Sequence, residues 1–310
     1  MHYLLALLII CFSYISINAK VFPIQFSIPE VKIVNSIPEK DRDFASLIPG
    51  NTSTYIYQEE ADYYQGYQRS YFALTWKKGG WDCMRHYEIL ANGCIPYFID
   101  LDKCNPNTMV YLPKQLIWEA MHLPGVSYPN IDHTKFDKAK YYEILNKLIA
   151  HTRAYLTTRN MAQYMMSVLD YRGSGKILYL SKDVSPDYLR ECVLIGLKDL
   201  FGSRIVDFPK IDFLYNNYEG DIKLLYGKGF SYTKILDDVW VDRSIIEERI
   251  KNKEFDLIVY GSVHRGLLYH DLVCQTYPPH KIIYVCGEDA HHCPFTCVEN
   301  LFLREFDALK

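Results

Sequence analysis

The sequence predicts an α/β protein with parallel sheets, and three observations carry the prediction. Short apolar runs of strand length, KILYLS (176–181), SRIVDFP (203–209), FDLIVYGS (255–262) and KIIYVCGE (281–288), alternate with helical segments. The stretch 70–99 reads strand, glycine turn, helix, glycine, strand, which is the core of a βαβ crossover. A Gly/Ser-rich break, YRGSGK (171–176), separates that unit from a fresh β-α-β opening.

In chain order, VFPIQFSIPEVKIV (21–34) mixes prolines with β-prone runs and reads as extended. Pro49-Gly50 marks a turn, STYIYQ (53–58) is a strand candidate, and 59–67 is a tyrosine-rich helix candidate. SYFALTW (70–76) is a second strand, broken by Lys77-Lys78-Gly79-Gly80. Met84, Tyr87, Ile89 and Leu90 are spaced as on an amphipathic helix over 81–90; Gly93 stands where its C-cap belongs, and CIPYFI (94–99) is a buried strand. Prolines bound a helix in LPKQLIWEAMHLPG (112–125), and a long helical region runs from 138 to 157 and on to 171. Beyond the break, YLRECVLIGLKDLFG (188–202) is a helix closed by Gly202 and RSIIEERIKNK (243–253) a surface helix. The expected division is a leader at 1–19, an α/β domain with long bridging helices at 20–172, and a second α/β domain at 173–310. No internal repeat or low-complexity segment interrupts it.

Composition bounds the function. Apolar residues are 49% and charged residues 23% of 310, ordinary globular usage. A net charge of −3 without a basic run excludes a protein that tracks nucleic acid through its phosphates. Tyrosine is over-used, at 27 residues, as in sugar and base pockets but also in wet interfaces. The apolar run 3–17, followed by Asn18-Ala19, suits a signal peptide cleaved near Ala19, although no positive charge precedes it. It is short of the roughly 20 residues of a spanning helix, so an uncleaved membrane anchor is the alternative. Either reading places the body in the secretory pathway lumen or outside, and the sequon Asn51-Thr52-Ser53 agrees. Of nine cysteines Cys11 lies in the leader; the others are scattered and read as buried thiols with one or two disulfides at most.

Lys77, Lys78, Gly79 and Gly80 sit between a strand and a helix, where backbone N–H groups and a glycine turn favour phosphate. Arg85 and Glu88, three apart, share one helical face. Arg grips phosphate in a fork, and Glu accepts two hydrogen bonds from a vicinal diol. The plainer reading is an i,i+3 salt bridge on a solvated face.

The string RHYEILANGCIPYF (85–98) resembles the donor-nucleotide motif of GT-B glycosyltransferases, most closely the exostosin-like and spore-maturation-type families. The resemblance covers about 70–113. It implies two Rossmann-like domains, with Glu88 on the nucleotide ribose, Arg85 near the phosphates, and Gly93 and Pro96 leading into a strand. In those families the motif domain comes second; here it comes first, which implies either a permuted order or a shortened copy of the motif domain joined to something else. The implied activity is glycosyl transfer from a nucleotide sugar, the donor being substrate and no cofactor being required, to a glycan, protein or lipid hydroxyl.

His264, just past the apolar strand 255–260, is the candidate general base, since histidine is the side-chain type suited to proton transfer near neutral pH; a loop histidine that merely packs is the plain alternative. Asp183 follows a strand in the same way. Asp100 and Asp102 match Asp-x-Asp in letters but lie in a turn-like IDLDKC (99–104). His291, His292, Cys293 and Cys297 lack the second spaced pair that tetrahedral zinc wants, so no metal is expected. The leading expectation is therefore a secretory glycosyltransferase. The alternatives are a non-catalytic lumenal glycan- or nucleotide-binding protein on the same fold and, more remotely, a secreted disulfide-bearing structural protein.

Overall fold

The computed structural model describes residues 20–289, 293 and 298–309. The leader at 1–19 and, of the histidine–cysteine string, His291, His292 and Cys297 lie outside the described residues. The chain is α/β, with two parallel sheets and one small hairpin. Strand β1 (Lys20–Pro23) opens the chain. The small sheet holds β2 (Arg42–Phe44), β3 (Ser70–Thr75) and β4 (Ile95–Phe98), side by side in chain order. Helix α1 (Glu60–Gln68) precedes β3, and α2 (Met84–Ala91) joins β3 to β4. Pro96 is tolerated in β4 because that strand is an edge, with no neighbour to receive an N–H. Gly93 takes φ +66° to end α2, and an added Cβ would meet the Pro38 ring at 3.0 Å.

The expected strand at 53–58 does not form. Asn51 accepts hydrogen bonds from the Ser53 N–H and hydroxyl, and a 3-10 turn, Thr52–Thr54, replaces it. Helix α3 (Lys114–Met121) starts after Pro113, and a hairpin of β5 (Val126–Ser127) and β6 (Asn130–Ile131) follows. The long helical region divides into α4 (Lys138–Tyr155), capped by Asp137, and α5 (Thr158–Val168), capped by Thr157. The break is pinned from outside, since the Ile28 N–H donates to the Leu156 carbonyl and the Thr158 N–H to the Ile28 carbonyl, each at 3.0 Å.

The large sheet contains β7 (Lys176–Leu180), β8 (Ile205–Phe208), β9 (Phe255–Tyr260), β10 (Ile282–Cys286) and β11 (Asn300–Leu303), with β1 added at its edge. Their order is β1-β11-β10-β9-β7-β8, all parallel. The strand at 20–23, expected with the first domain, thus pairs with the last strand of the chain. Side chains alternate across the sheet. Ile177 and Tyr179 face a core shared with Leu189 and Val193 of α6 (Tyr188–Phe201). Leu178 and Leu180 face a second core with Ile250 of α7 (Ile246–Lys251) and Val273 of α8 (His270–Thr276). Each such burial contributes roughly 1.5–3 kcal/mol, so strands apolar on both faces are fixed between helices on both sides. Helices α5 and α6 touch at Gly196, where a Cβ would stand 2.0 Å from the Thr158 carbonyl oxygen.

The first core is continuous with the small sheet: Phe72, Tyr87 and Tyr141 belong to it along with Ile177 and Phe302. Residues 24–28 thread this seam. The Phe26 N–H donates to Asp82 at 2.6 Å, and the Cys192 thiol donates to the Ser27 carbonyl at 3.0 Å.

Candidate functional site

Within the large sheet, β8 lies on one side of β7 and β9 on the other. The order in which successive strands are added reverses at that point, although all run parallel, and open parallel sheets gather ligands in the crevice beyond the carboxyl ends of such strands. A cleft of about 630 Å³ opens there, walled on one side by Lys78, Asp82 and Arg85 and on the other by Asp187, His264 and Arg265. A smaller lobe of about 300 Å³ adjoins it, lined by Tyr57, Tyr63, Glu88 and Phe230. Tyr55, Arg85, Tyr188 and Tyr226 border both lobes. Among the described residues, none from β3 or β4 lines either lobe.

Arg85 is half-buried at the junction of the lobes. Among the described residues it makes no ion pair, so the i,i+3 bridge to Glu88 does not form. Its guanidinium lies 5.7 Å from the Tyr55 ring centroid, with one long contact of 3.5 Å to the Tyr55 hydroxyl. Its Nε is buried without a partner. Leaving such a donor unsatisfied costs about 1–3 kcal/mol. Lys78, exposed on the same wall, makes no side-chain bond among the described residues. The junction therefore presents two cations that form no ion pair among the described residues.

Glu88 is only 5% exposed. One carboxylate oxygen accepts the Tyr63 hydroxyl at 2.6 Å and the other accepts the Ser231 hydroxyl, while Tyr67 donates on to Tyr63 at 3.0 Å. Burial pushes the Glu88 carboxyl up; the Ser231 and Tyr63 hydroxyls and the Arg85 charge oppose that. Two protein hydroxyls thus occupy the carboxylate that the sequence assigned to a ribose diol. Ser231 belongs to an excursion between β8 and α7 that crosses to α1. It sits at φ +75°, fully buried, with its N–H on Glu60. The Lys228 ammonium reaches the Tyr57 carbonyl and the Gln58 side chain, and Phe230 stacks on Tyr63 at 5.5 Å.

Across the cleft, His264 stands on the turn after β9, its Nε2 3.2 Å from Asp187 Oδ2. The same oxygen accepts the Ser262 hydroxyl and the Arg265 Nε, the latter at 3.0 Å. Asp187 is the N-cap of α6. Burial alone would raise its carboxyl; the hydrogen bond and charge of His264 and the Ser262 hydroxyl outweigh burial and hold it well below the usual carboxylate range. An imidazole whose Nε2–H is fixed on a carboxylate offers Nδ1 as the proton acceptor.

No family model, curated protein or solved structure matches this chain.

The glycine turn is not an open phosphate cradle. A Cβ on Gly79 would stand 2.3 Å from Asp289 and one on Gly80 2.5 Å from Glu305, so protein carboxylates already press on it. Glu305 accepts the Asp82 N–H at 2.7 Å, and Arg304 binds both Glu305 and Asp289. Burial raises the Glu305 carboxyl to about 8 although Arg304 opposes it, as expected where one guanidinium serves several acids. Lys77 turns away from the cleft to Asp307 at 3.2 Å and lies over Trp81. Gly93 is likewise outside: it closes α2, and its carbonyl accepts the buried Lys40 ammonium. Asp183 does not line the cleft but pairs with Arg190 and Arg265. Asp100 accepts the Lys77 N–H at 3.2 Å.

Of the expected residues, the fold brings Lys78, Gly80, Arg85 and His264 to the large lobe and Glu88 to the small one. Asp187 and Ser231 were missed. Asp187 had a local signal, an Asp directly before an apolar helix. Ser231 had none. A third cavity, about 450 Å³, lies by the opposite end of α6, where the Lys198 ammonium is already consumed by Asp207 at 2.7 Å. Among the described residues no helix is long and apolar enough to cross a membrane.

Proposed function

We propose that this chain is a glycosyltransferase of the secretory pathway that takes a nucleotide-sugar donor in the two-lobed cleft. On this reading the two sheets are the two halves of a GT-B arrangement in permuted order. The single observation that carries the proposal is Arg85: a half-buried guanidinium with no ion pair among the described residues and an orphaned Nε, at the junction of a tyrosine-lined lobe and a lobe holding a His–Asp pair. The nucleoside occupies the tyrosine-lined lobe beside Glu88, the diphosphate lies at Arg85 and Lys78, and the sugar reaches toward His264. His264 Nδ1 takes the proton of the acceptor hydroxyl as its oxygen bonds to the anomeric carbon. The bond from that carbon to the diphosphate oxygen breaks, and Arg85 receives the negative charge that develops there.

A second reading, a non-catalytic binding protein on the same fold, draws on the occupied Glu88 carboxylate and on the acids pressed against the glycine turn. One experiment separates the two. Calorimetric titration with a panel of nucleoside diphosphates and their sugars is followed by an assay of sugar transfer to mixed glycan, peptide and lipid acceptors. Binding with turnover supports transfer, binding without turnover supports the second reading, and no binding to any nucleotide removes the transferase and leaves the second reading only in its glycan-binding form.

A further inference from the structure

Away from the cleft, on the sheet face covered by α7 and α8, an exposed thiol meets a half-buried imidazole and a buried phenol. His270 and Cys274 stand one helical turn apart on α8. The Cys274 sulfur lies 3.4 Å from His270 Nε2, and the Tyr284 hydroxyl, from β10, lies 3.2 Å from the same nitrogen and 3.9 Å from the sulfur. Tyr284 is itself fixed by stacking on Tyr260, with centroids 5.5 Å apart and rings 19° from parallel. The imidazole is thereby held against a thiol that remains exposed.

The other described cysteines differ in kind. Cys94 and Cys192 are buried and donate to the Tyr71 and Ser27 carbonyls, and burial pushes both thiols up to about 12. Cys286 and Cys293 are buried against each other, and Cys83 and Cys104 are half-buried. A thiol reacts as its thiolate, so an accessible sulfur beside a base is where nucleophilic sulfur chemistry concentrates.

We propose that Cys274, primed by His270, is a thiol–disulfide exchange site that takes low-molecular-weight disulfides. His270 Nε2 accepts the thiol proton, and its N–H then donates to the thiolate. The Cys274 sulfur attacks one sulfur of the incoming disulfide. The new sulfur–sulfur bond forms as the old one breaks, and the departing thiolate takes the proton back from the imidazolium. The products are a mixed disulfide on Cys274 and one free thiol, so the disulfide itself is the only oxidant required. The cluster shares no residue with the cleft, and the proposal stands or falls independently of the transferase reading.

The test treats the intact folded protein with oxidised glutathione, quenches over time, and maps adducts by peptide mass spectrometry. Cys274 is expected to carry the first adduct, and His270→Gln is expected to slow it about tenfold. Cys274→Ser removes that adduct. The same reaction on the urea-unfolded parent supplies a reference that needs no variant. An unchanged rate in His270→Gln, or a folded-state rate no higher than that of the unfolded chain, overturns the proposal.

Discussion

Arg85→Leu separates a residue kept for a ligand from one kept for the fold. Among the described residues the guanidinium has no ion-pair partner, and its Nε is a buried donor without an acceptor. Such a group costs about 1–3 kcal/mol, which the substitution removes while leucine retains part of the apolar stem's packing. The variant should therefore unfold at the parent's midpoint or a few degrees above it. Donor binding should move the other way. A charged hydrogen bond to a diphosphate contributes about 1.5–3 kcal/mol, so its loss weakens affinity roughly tenfold to a hundredfold. Calorimetry with the best-binding nucleoside diphosphate, run beside a thermal melt of the free protein, reads both quantities. Affinity within about twofold of the parent's would remove Arg85 from the ligand site. A midpoint lowered by several degrees without ligand would show that the side chain holds the fold instead.

His264→Ala should leave donor affinity unchanged and slow transfer by about a hundredfold to ten-thousandfold, read by turnover at saturating donor. Asp187→Asn, which keeps the shape but not the charge beside His264, should also slow transfer and shift the acid limb of the rate–pH profile; an unmoved limb would dismiss the pairing. Glu305 titrates near 8 in the folded chain against about 4.5 unfolded, so the folded state binds more protons between those values. Its contribution to stability is complete below about 4.5 and lost as pH rises through about 8. Glu305→Gln should flatten that part of the fall in denaturant-unfolding free energy between pH 5 and pH 9, and an unaltered profile would assign the fall to other groups. Gly196→Ala forces a Cβ against the immovable Thr158 carbonyl and should destabilise by about 1–3 kcal/mol in the same unfolding assay.

The parallel strands of the large sheet were legible because burial on both faces leaves a nearly continuous apolar string, as in 176–181. The turn-and-helix string around Arg85 was legible as well, since its residues are local in sequence. What sequence could not supply is contact between distant segments. The Glu88 carboxylate looked free until the excursion after β8 delivered Ser231 to it, and that excursion has no periodicity to read. The glycine turn looked open until Asp289 and Glu305 arrived from the chain's far end. Local propensity also failed once: Tyr-Ile-Tyr at 55–57 favours a strand, but the Asn51 side chain captures the preceding backbone.

The pairing of β1 with β11 sets a timetable for the ribosome. Lys20 has no partner until Asn300 is made, which at about 5–20 residues per second is a delay of roughly 15 s to a minute. During that wait the small sheet, all of whose strands lie between residues 42 and 98, can assemble from nearby chain, whereas the large sheet keeps an edge unfilled. The cleft wall includes Phe26, just after β1, with Arg304, just after β11, held over its ring at 4.7 Å. A nascent or truncated chain lacking the last ten residues would therefore carry the arginine–glutamate helix without a finished pocket around it. The wall of the cleft is complete only once Arg304 has been made.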